Sequence, residues 1–236
     1  MNKREIIWKA FRTAFPHTIP ILAGFLFLGI AYGMYMHSLG FSAIYPIMMS
    51  LLIFAGSMEF LAANLLLMSF NPLNALLLTL TVNARHLFYG ISMLEKYKGT
   101  GRKKAYLIFG MCDESFSINY SANIPKDVDK GWFMTFVTLL NHSYWVLGSA
   151  LGGLFGSLIH FNTEGLEFVM TALFVVIFIE QWRKEKKHLI ATIGLTASVI
   201  SLVIFGSSGF IIPAMIAILA SVTIIRKVSE QKEVTA

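Results

Sequence analysis

Charged side chains are scarce in this sequence, and long stretches contain none. Asp, Glu, Lys and Arg make up 14% of the 236 residues, whereas a soluble domain carries about 25%. The longest uncharged stretches cover residues 13–58, 131–163 and 188–225. Uncharged runs of about 18 or more apolar residues are typical of transmembrane helices. The sequence therefore predicts an all-α, polytopic integral membrane protein without a soluble domain.

Other absences exclude several kinds of chemistry. Cys112 is the single cysteine, so an intramolecular disulfide is impossible. The sequence contains no nucleophile elbow, phosphate-binding glycine loop or zinc-protease motif, and no spacing of His, Cys, Asp and Glu that is typical of a metal site. We therefore expect no enzyme activity, no cofactor and no metal. The first apolar run is too long for the core of a cleavable signal peptide, so we expect none.

The net charge of +6 does not indicate a nucleic-acid partner. The Lys and Arg residues lie in short loops and tails, which is the pattern of cytoplasmic segments in membrane proteins. We therefore expect a multi-pass protein of the cytoplasmic membrane, in contact with lipid, with both termini cytoplasmic. Residues 1–15 form a basic amphipathic lead-in, residues 16–226 a transmembrane transport domain and residues 227–236 a tail. The lead-in would lie on the membrane surface as a helix, although a simple tail fits its sequence equally well.

We predict about seven or eight membrane-embedded segments, two of them broken or re-entrant. The continuous spans are placed at 16–36, 72–94, 132–158 and 166–179, and two short spans within 189–225. If every basic loop is cytoplasmic, an even number of crossings must separate successive basic loops. Segments 41–69 and 105–124 break this rule unless each is a hairpin, the first dipping in from outside and the second from inside. Alternatively, one basic loop is an exception to the charge rule.

Both of these segments contain a central glycine that is followed closely by an acid: Gly56 precedes Glu59, and Gly110 precedes Asp113 and Glu114. Glycine-interrupted segments in corresponding positions point to the binding site of a transporter. Non-helical backbone at that depth is tolerated only where protein or water covers it. The opposite directions of the two segments also suggest an inverted repeat.

Arg85 lies inside an apolar run that is otherwise long enough to cross the bilayer. A charge at mid-membrane costs roughly 2.5–3.5 kcal/mol on insertion scales, so Arg85 must face an acid, a carbonyl or water. We predict that Arg85 shares one water-filled cavity with the acids Glu59, Asp113 and Glu114. There Arg85 would bind a ligand carboxylate or balance an acid, and an acid or His86 would take up a coupling proton. The alternative is a structural ion pair that holds the helices in register.

Two histidines are weaker candidates. His86 could bind a ligand or a proton, or could only cap a polar face beside Arg85. His142 could line the pathway, or could only form an interhelical hydrogen bond. The full set of candidate substrate-binding or ion-coupling residues is Arg85, His86, Asp113, Glu114, Glu59, Gly56, Ser57, Asn83, Tyr89, Asn64 and His142.

A stripe of small residues, Gly148, Gly152 and Gly156, repeats about once per helical turn. Such a face lets two helices approach closely. The sequence leaves open whether the neighbouring helix belongs to the same chain or to a partner.

Four motifs carry a resemblance to a known family. They are FAGSMEF at residues 54–60, ARHLFYG at 84–90, FGMCDESF at 109–116 and SYWVLG at 143–148. With these motifs and the order of its spans, nearly the whole chain resembles the AzlC family, the large subunits of two-component branched-chain amino-acid permeases. Members of that family often have glutamine where this chain has Glu59. The resemblance therefore favours Asp113 or Glu114 as the acid facing Arg85, and leaves Glu59 protonated and hydrogen bonded.

The resemblance implies export of valine, leucine and isoleucine, and sometimes of methionine or of analogues such as azaleucine. It also implies a small hydrophobic partner subunit of the AzlD type. The leading hypothesis is a secondary exporter in which Arg85 holds the carboxylate of the amino acid, Asp113 or Glu114 holds its ammonium group, and proton antiport supplies the energy. The alternatives are a channel or passive pore for small zwitterions, an importer of the same fold, a membrane scaffold or an intramembrane enzyme.

Overall fold

The computed structural model describes residues 2–69, 71–156, 175, 178–179, 182–183, 188–210, 213–214, 216–218, 220–221 and 223–225. Residue contacts divide the chain into two units, 1–170 and 171–236, which are described separately. The predicted tail 227–236 lies outside the described residues, and so does the predicted span 166–179 apart from three positions.

Within the described ranges, every regular element is a helix, so the predicted all-α class is confirmed. In chain order the helices are α1 (Lys3–Ser38), α2 (Ile44–Leu52), α3 (Gly56–Leu67), α4 (Pro72–Val82), α5 (Ala84–Met93), α6 (Lys103–Phe109), α7 (Asp113–Ser121), α8 (Lys130–Phe155) and α9 (Leu189–Gly209).

Helix α1 is 36 residues long and joins the predicted lead-in to the predicted first span without a break. It continues through Pro16 and Pro20, each of which removes one backbone donor from the helix. In the lead-in, Ala10 and Ala14 are completely buried and pack in one apolar cluster with Phe133 of α8. One face of the lead-in is therefore covered by protein, because its small residues fit against the aromatic side chains at the start of α8.

An ion pair between Lys9 and Asp127 fastens the lead-in to the turn before α8. The hydrogen bond from the Lys9 ammonium lowers the pKa of the Asp127 carboxyl below its ordinary value. A carboxyl with a lowered pKa stabilises the fold at higher pH, and that contribution is lost as the pH falls through the folded-state pKa. Both side chains are largely exposed, so the effect is small.

Helices α1 and α8 form the central pair, and they run parallel. Phe25 contacts Trp145, Gly29 lies against Gly148, and further along Gly33 lies against Gly152. A Cβ added at Gly29 would lie 2.9 Å from the backbone nitrogen of Ser149, and Gly33 leaves still less room. The predicted stripe of small residues on α8 therefore packs, within the chain, on a matching stripe of α1.

The segment 41–69 contains the predicted break and folds into a hairpin, the first hairpin. Its helices α2 and α3 are joined at Ile53–Ala55, where Phe54 has a φ of 48°. This left-handed conformation costs roughly 1–2 kcal/mol for a residue with a side chain. The Phe54 ring packs 4.4 Å from the ring of His142, near the middle of α8. The other end of the hairpin lies beside the end of α1, where the Tyr35 hydroxyl donates to Asn64 Oδ1 at 3.2 Å.

The segment 105–124 forms a second hairpin from α6 and α7, with its tip at Gly110–Cys112. It begins beside the start of α8, where Lys103 Nζ lies 3.8 Å from Asp129 Oδ1. Its tip reaches Thr138 near the middle of α8. The two hairpins therefore approach the middle of α8 from opposite ends of that helix.

The predicted span 72–94 is interrupted in the structure. Helix α4 ends and α5 begins at Asn83, whose φ of −98° and ψ of 11° lie outside the helical range. The prediction of one continuous span is wrong here, because Asn83 shares its carbonyl between the backbone and the side chain of His86. The break puts Arg85 into the first turn of a new helix.

Two described helices are long and apolar enough to cross a bilayer, namely α1 and the part of α9 from Leu189 to Gly206. Gly206 has a φ of 70° and interrupts α9 inside the segment 189–225, where two short spans were predicted. The two hairpins and the α4–α5 break divide segments 41–69, 72–94 and 105–124 into shorter helices. A count of long helices therefore does not reproduce the predicted seven or eight membrane-embedded segments.

Candidate functional site

The candidate site is built around an ion pair between the first turns of α5 and α7. Arg85 Nε lies 3.0 Å from Asp113 Oδ1, and the two side chains are 32% and 21% exposed. Each residue lies in the first helical turn after a break in the chain. The backbone N–H groups of such a turn have no partner within the helix. Asp113 is therefore the acid that faces Arg85.

Tyr89 bonds the same carboxylate oxygen of Asp113 that faces Arg85. Its hydroxyl donates to Asp113 Oδ1 at 2.8 Å, and its ring stacks on Phe116 with 4.2 Å between the ring centroids. Tyr89 lies one helical turn after Arg85, so the two side chains leave α5 on the same face. Asp113 is held by two groups of one helix.

Glu114 adds a second acid to the site. It is half-buried, beside the Cys112 thiol, and it interacts electrostatically with both Asp113 and Arg85. When both acids are ionised, these three side chains carry one positive and two negative charges. The cluster can then accept a further cation, such as the ammonium group of a zwitterion.

Two residues beside Arg85 complete the site. His86 Nδ1 lies 3.3 Å from the carbonyl oxygen of Asn83, and its ring contacts the edge of the Tyr89 ring. Asn83 Oδ1 and Arg85 Nε are buried, and within the described residues neither atom has a hydrogen-bond partner of good geometry. Buried polar atoms normally have partners, so Asn83 Oδ1 remains an acceptor for a ligand, whereas Arg85 Nε already faces Asp113 Oδ1 at 3.0 Å.

Glu59 lies in a different environment from Arg85. It is completely buried, and its Oε1 accepts hydrogen bonds from the backbone N–H of Ala55 at 2.9 Å and from Trp145 Nε1 at 3.0 Å. Its contacts are thus with its own hairpin tip and with α8. The expectation that Glu59 shares the cavity of Arg85 is corrected by these contacts. The physical reason is that the Glu59 carboxylate bonds the backbone N–H of Ala55, the residue directly before α3, and the indole N–H of Trp145.

The other candidates of the first hairpin have packing contacts. Gly56 lies under the Trp145 ring, so closely that a Cβ there would be 3.0 Å from the ring carbons. Ser57 is buried. Asn64 is exposed at the far end of α3, where it accepts the hydrogen bond from Tyr35. Gly56 and Ser57 therefore lie next to the tip of the first hairpin, and Asn64 lies at its far end.

His142 connects the two hairpins. Its Nδ1 lies 3.0 Å from the Tyr106 hydroxyl of the second hairpin, and its Nε2 lies 3.2 Å from the Ser50 carbonyl of the first. Both ring nitrogens are occupied by these contacts, which is the interhelical hydrogen bonding that the sequence left open. Within the described residues, no group of three or more His, Cys, Asp or Glu side chains is placed to hold a metal ion.

A family model and several relatives match the sequence of this chain. The family model described as "AzlC protein" matches residues 20–159, a range that contains both hairpins and the Arg85–Asp113 pair. The chain is 74% identical over 235 residues to the branched-chain amino acid transport protein AzlC of Bacillus subtilis, covering 100% of this chain and 92% of that protein. The chain belongs to the AzlC family.

More distant AzlC relatives are named as membrane proteins. An uncharacterized membrane protein of Haemophilus influenzae is 54% identical over 213 residues, which cover 90% of this chain and 87% of that protein. The inner membrane protein YgaZ of Escherichia coli is 25% identical over 197 residues, 80% of this chain and 79% of that protein. No solved structure matches the chain.

Sequence reasoning missed two features of this AzlC fold. Trp145, which holds Glu59, gives no signal because an indole in an apolar run looks like packing. The second feature is a set of buried polar residues between α7 and α8: Ser115, Asn119, Thr138 and Asn141. Their spacing of three or four residues within apolar segments is the signal that could have found them.

Proposed function

We propose that this chain is the transport subunit of a secondary exporter that moves branched-chain amino acids across the cytoplasmic membrane. Valine, leucine and isoleucine are the proposed substrates, with methionine and close analogues as weaker ones. Membership of the AzlC family and the name of the B. subtilis relative support the substrate class. The observation that carries the proposal is the Arg85–Asp113 pair at a broken helix, with Glu114 beside it.

A zwitterion fits this charge arrangement. Its carboxylate would pair with the Arg85 guanidinium, and its ammonium group would pair with Asp113 or Glu114. The first turns of α5 and α7 add backbone N–H groups, whose partial positive charge favours the carboxylate. When the ligand binds, its carboxylate takes the place of the acid beside Arg85, and its ammonium group takes the place of Arg85 beside the acid. No buried charge is therefore left unpaired.

Apolar side chains next to this pair would select an aliphatic substrate. Phe116 stacks on Tyr89, and Met111 lies near Gly90 of α5. A hydrophobic contact is worth about 25 cal/mol per Å² of apolar area removed from water. Larger branched side chains would therefore bind better than alanine or glycine, whereas a charged side chain would lose its hydration.

The two hairpins would be re-entrant, the first from outside and the second from the cytoplasm. This assignment follows from the basic loop 95–104, which precedes the second hairpin and would be cytoplasmic together with both termini. Proton antiport would drive export, with Asp113 or Glu114 as the proton carrier. A small hydrophobic subunit of the AzlD type would be the protein partner.

We assign the first hairpin a supporting role. Glu59, Gly56 and Ser57 hold its tip against Trp145, whereas Asn64 lies at its far end. In this view Arg85, Asp113, Glu114, Tyr89 and Asn83 contact the substrate. His86 orients Asn83, and His142 couples the hairpins.

The test replaces Arg85 with glutamine in cells that express the partner subunit and are loaded with a valine dipeptide. Arg85→Gln should lower valine efflux at least ten-fold, because the ligand carboxylate loses its cation. Arg102→Gln, which changes an exposed loop arginine, is the matched control and should leave efflux unchanged. Unchanged efflux in Arg85→Gln, with normal protein in the membrane, would remove Arg85 from the mechanism. Parallel runs without the partner subunit test the AzlD-type partner, and runs with the pH gradient collapsed test proton antiport.

A further inference from the structure

The interface between α7 and α8 is polar where a core would normally be apolar. Ser115 and Asn119 of α7 face Thr138 and Asn141 of α8, and all four are at most 2% exposed. Asn141 Nδ2 donates to Ser115 Oγ at 3.2 Å, and Asn119 Nδ2 lies 3.4 Å from Thr138 Oγ1. We call these four residues the α7–α8 seam.

Three buried polar atoms along this seam have no hydrogen-bond partner within the described residues. They are Asn141 Oδ1, Asn119 Oδ1 and the Tyr97 hydroxyl. Tyr97 lies in the turn after α5 and is 2% exposed. Its hydroxyl is close enough to interact with the Asn119 side chain, but the two do not form a hydrogen bond of good geometry. An unpaired buried polar group costs about 1–3 kcal/mol, so three such groups in one interface would be a large penalty. Bound water removes that penalty, since a buried water molecule bonds two to four polar groups that would otherwise be unsatisfied.

The seam has two defined ends. At one end Ser115 accepts a hydrogen bond from Cys112 Sγ at 3.3 Å, and Cys112 directly precedes Asp113 at the tip of the second hairpin. At the other end Tyr97 reaches the turn that carries the basic loop. The side walls are apolar, because Met111, Val137 and Leu107 belong to the same buried cluster as Tyr97. Water beside such walls would find hydrogen-bond partners only at the polar groups of the seam.

We propose that water molecules bound in the α7–α8 seam form the proton route between Asp113 and the turn at Tyr97. The hydroxyl groups of Ser115, Thr138 and Tyr97, together with this water, supply the continuous chain of O–H groups that proton transfer needs. The groups that face Asp113 are Arg85, His86 and Tyr89 from α5 and Glu114 and Cys112 from its own hairpin. The route is separate from Arg85, so substrate and proton reach Asp113 from different sides.

The proton role rests on the proposed function, whereas the hydration of the seam rests on the geometry alone. Hydration is tested by X-ray radiolysis of the purified protein in detergent, because hydroxyl radicals formed from bound water oxidise the side chains next to it. Tyr32 is the matched control: it is also buried, but its hydroxyl is bonded to Met49 Sδ at 3.3 Å. Tyr97 should be oxidised at least ten-fold faster than Tyr32. Equal rates would overturn the proposal.

The proton role is tested in proteoliposomes with a trapped pH dye. Asn119→Leu and Asn141→Leu should keep valine counterflow within two-fold of the unmodified protein and should lower valine-driven proton flux at least ten-fold. Asn123→Leu, an exposed position just after α7, should change neither. Proton flux at the control level in both seam variants would overturn the route. An unmodified protein that moves no valine would overturn the proposed function and the proton role together, while the Tyr97 comparison would still decide whether the seam holds water.

Discussion

At the scale of single residues, the fold treats its acids in two ways. Asp113 faces a cation and remains partly open to solvent, whereas Glu59 is enclosed and bonded only by N–H donors in the described structure. The oxygen of a carboxylate, of a carboxylic acid or of an amide can each accept a hydrogen bond from an N–H donor. Only the first kind of environment depends on the charge.

Tyr89→Phe should reduce transport without unfolding the protein. The substitution removes the hydrogen bond to Asp113 but keeps the ring that stacks on Phe116. A hydrogen bond to a charged group contributes about 1.5–3 kcal/mol, so we expect valine efflux to fall roughly ten-fold or more. Tyr120→Phe, at an exposed position of α7, is the control. Equal efflux in the two variants would show that Asp113 does not need this bond.

Glu59→Gln should retain transport, because the amide oxygen still accepts the N–H groups of Ala55 and Trp145. Glu59→Leu should lower the midpoint of thermal unfolding in detergent, since two buried donors lose their partner at about 1–3 kcal/mol each. The measurements are valine efflux and the unfolding midpoint. Loss of efflux in a stable Glu59→Gln protein would instead give the charge a role in coupling.

The sequence was enough to single out Arg85 and the Asp113–Glu114 pair, because an ionisable residue in an apolar run needs a partner there. It was not enough to separate Glu59 from them. Both acids follow a glycine at a similar distance, and the difference is made by Trp145, which lies 86 positions further along the chain. A pattern of residue types along the chain does not contain such a long-range contact.

At the scale of the elements, breaks decide where the polar side chains lie. The counting of basic loops predicts hairpins at 41–69 and 105–124, and the structure has a break in each. The break at Asn83 escaped prediction because asparagine interrupts a helix only weakly and the apolar pattern continues across it. All three breaks precede a turn that carries charged residues, Glu59, Arg85 or Asp113.

The packing of α1 on α8 depends on Gly33 but not on Gly24. Gly33→Ala should lower the unfolding midpoint in detergent by at least about 5 °C, because its Cβ would overlap the backbone of α8 and overpacking typically costs about 1–3 kcal/mol. Gly24→Ala is the matched control on the same helix, where the described structure leaves space for a Cβ. It should leave the midpoint unchanged or raise it slightly. Equal midpoints would contradict the close contact of these helices.

At the scale of the whole first unit, two hairpins meet at His142 near the middle of α8. This arrangement brings the tips of both hairpins to within about one turn of each other on α8, at His142 and Thr138, while their ends remain at opposite ends of that helix. Unbroken helices that ran the full length of α8 would have no helix ends at this level. The fold therefore places the irregular backbone of both hairpins beside the middle of α8.

The opposite directions of the hairpins give a prediction for membrane topology. In a Cys112→Ser background, Ser42→Cys at the turn before α2 should react with an impermeant maleimide added to intact cells. Lys98→Cys, in the basic loop before α6, should react only after permeabilisation, because basic loops stay cytoplasmic. Lys3→Cys is expected to behave like Lys98→Cys. Labelling of Ser42→Cys and Lys98→Cys from the same side would contradict the proposed orientation.

The glycine contact between α1 and α8 also has a consequence for biogenesis. The ribosome delivers α1 long before α8, since chains are synthesised from the N-terminus, yet the two helices are each other's main neighbours. During that interval the glycine stripe of α1, at Gly29 and Gly33, faces lipid or the insertion machinery without its partner helix. A nascent chain that stalls before residue 130 has been synthesised would therefore expose the glycine stripe of α1. Membrane proteases could use that exposed stripe to distinguish it from the finished protein.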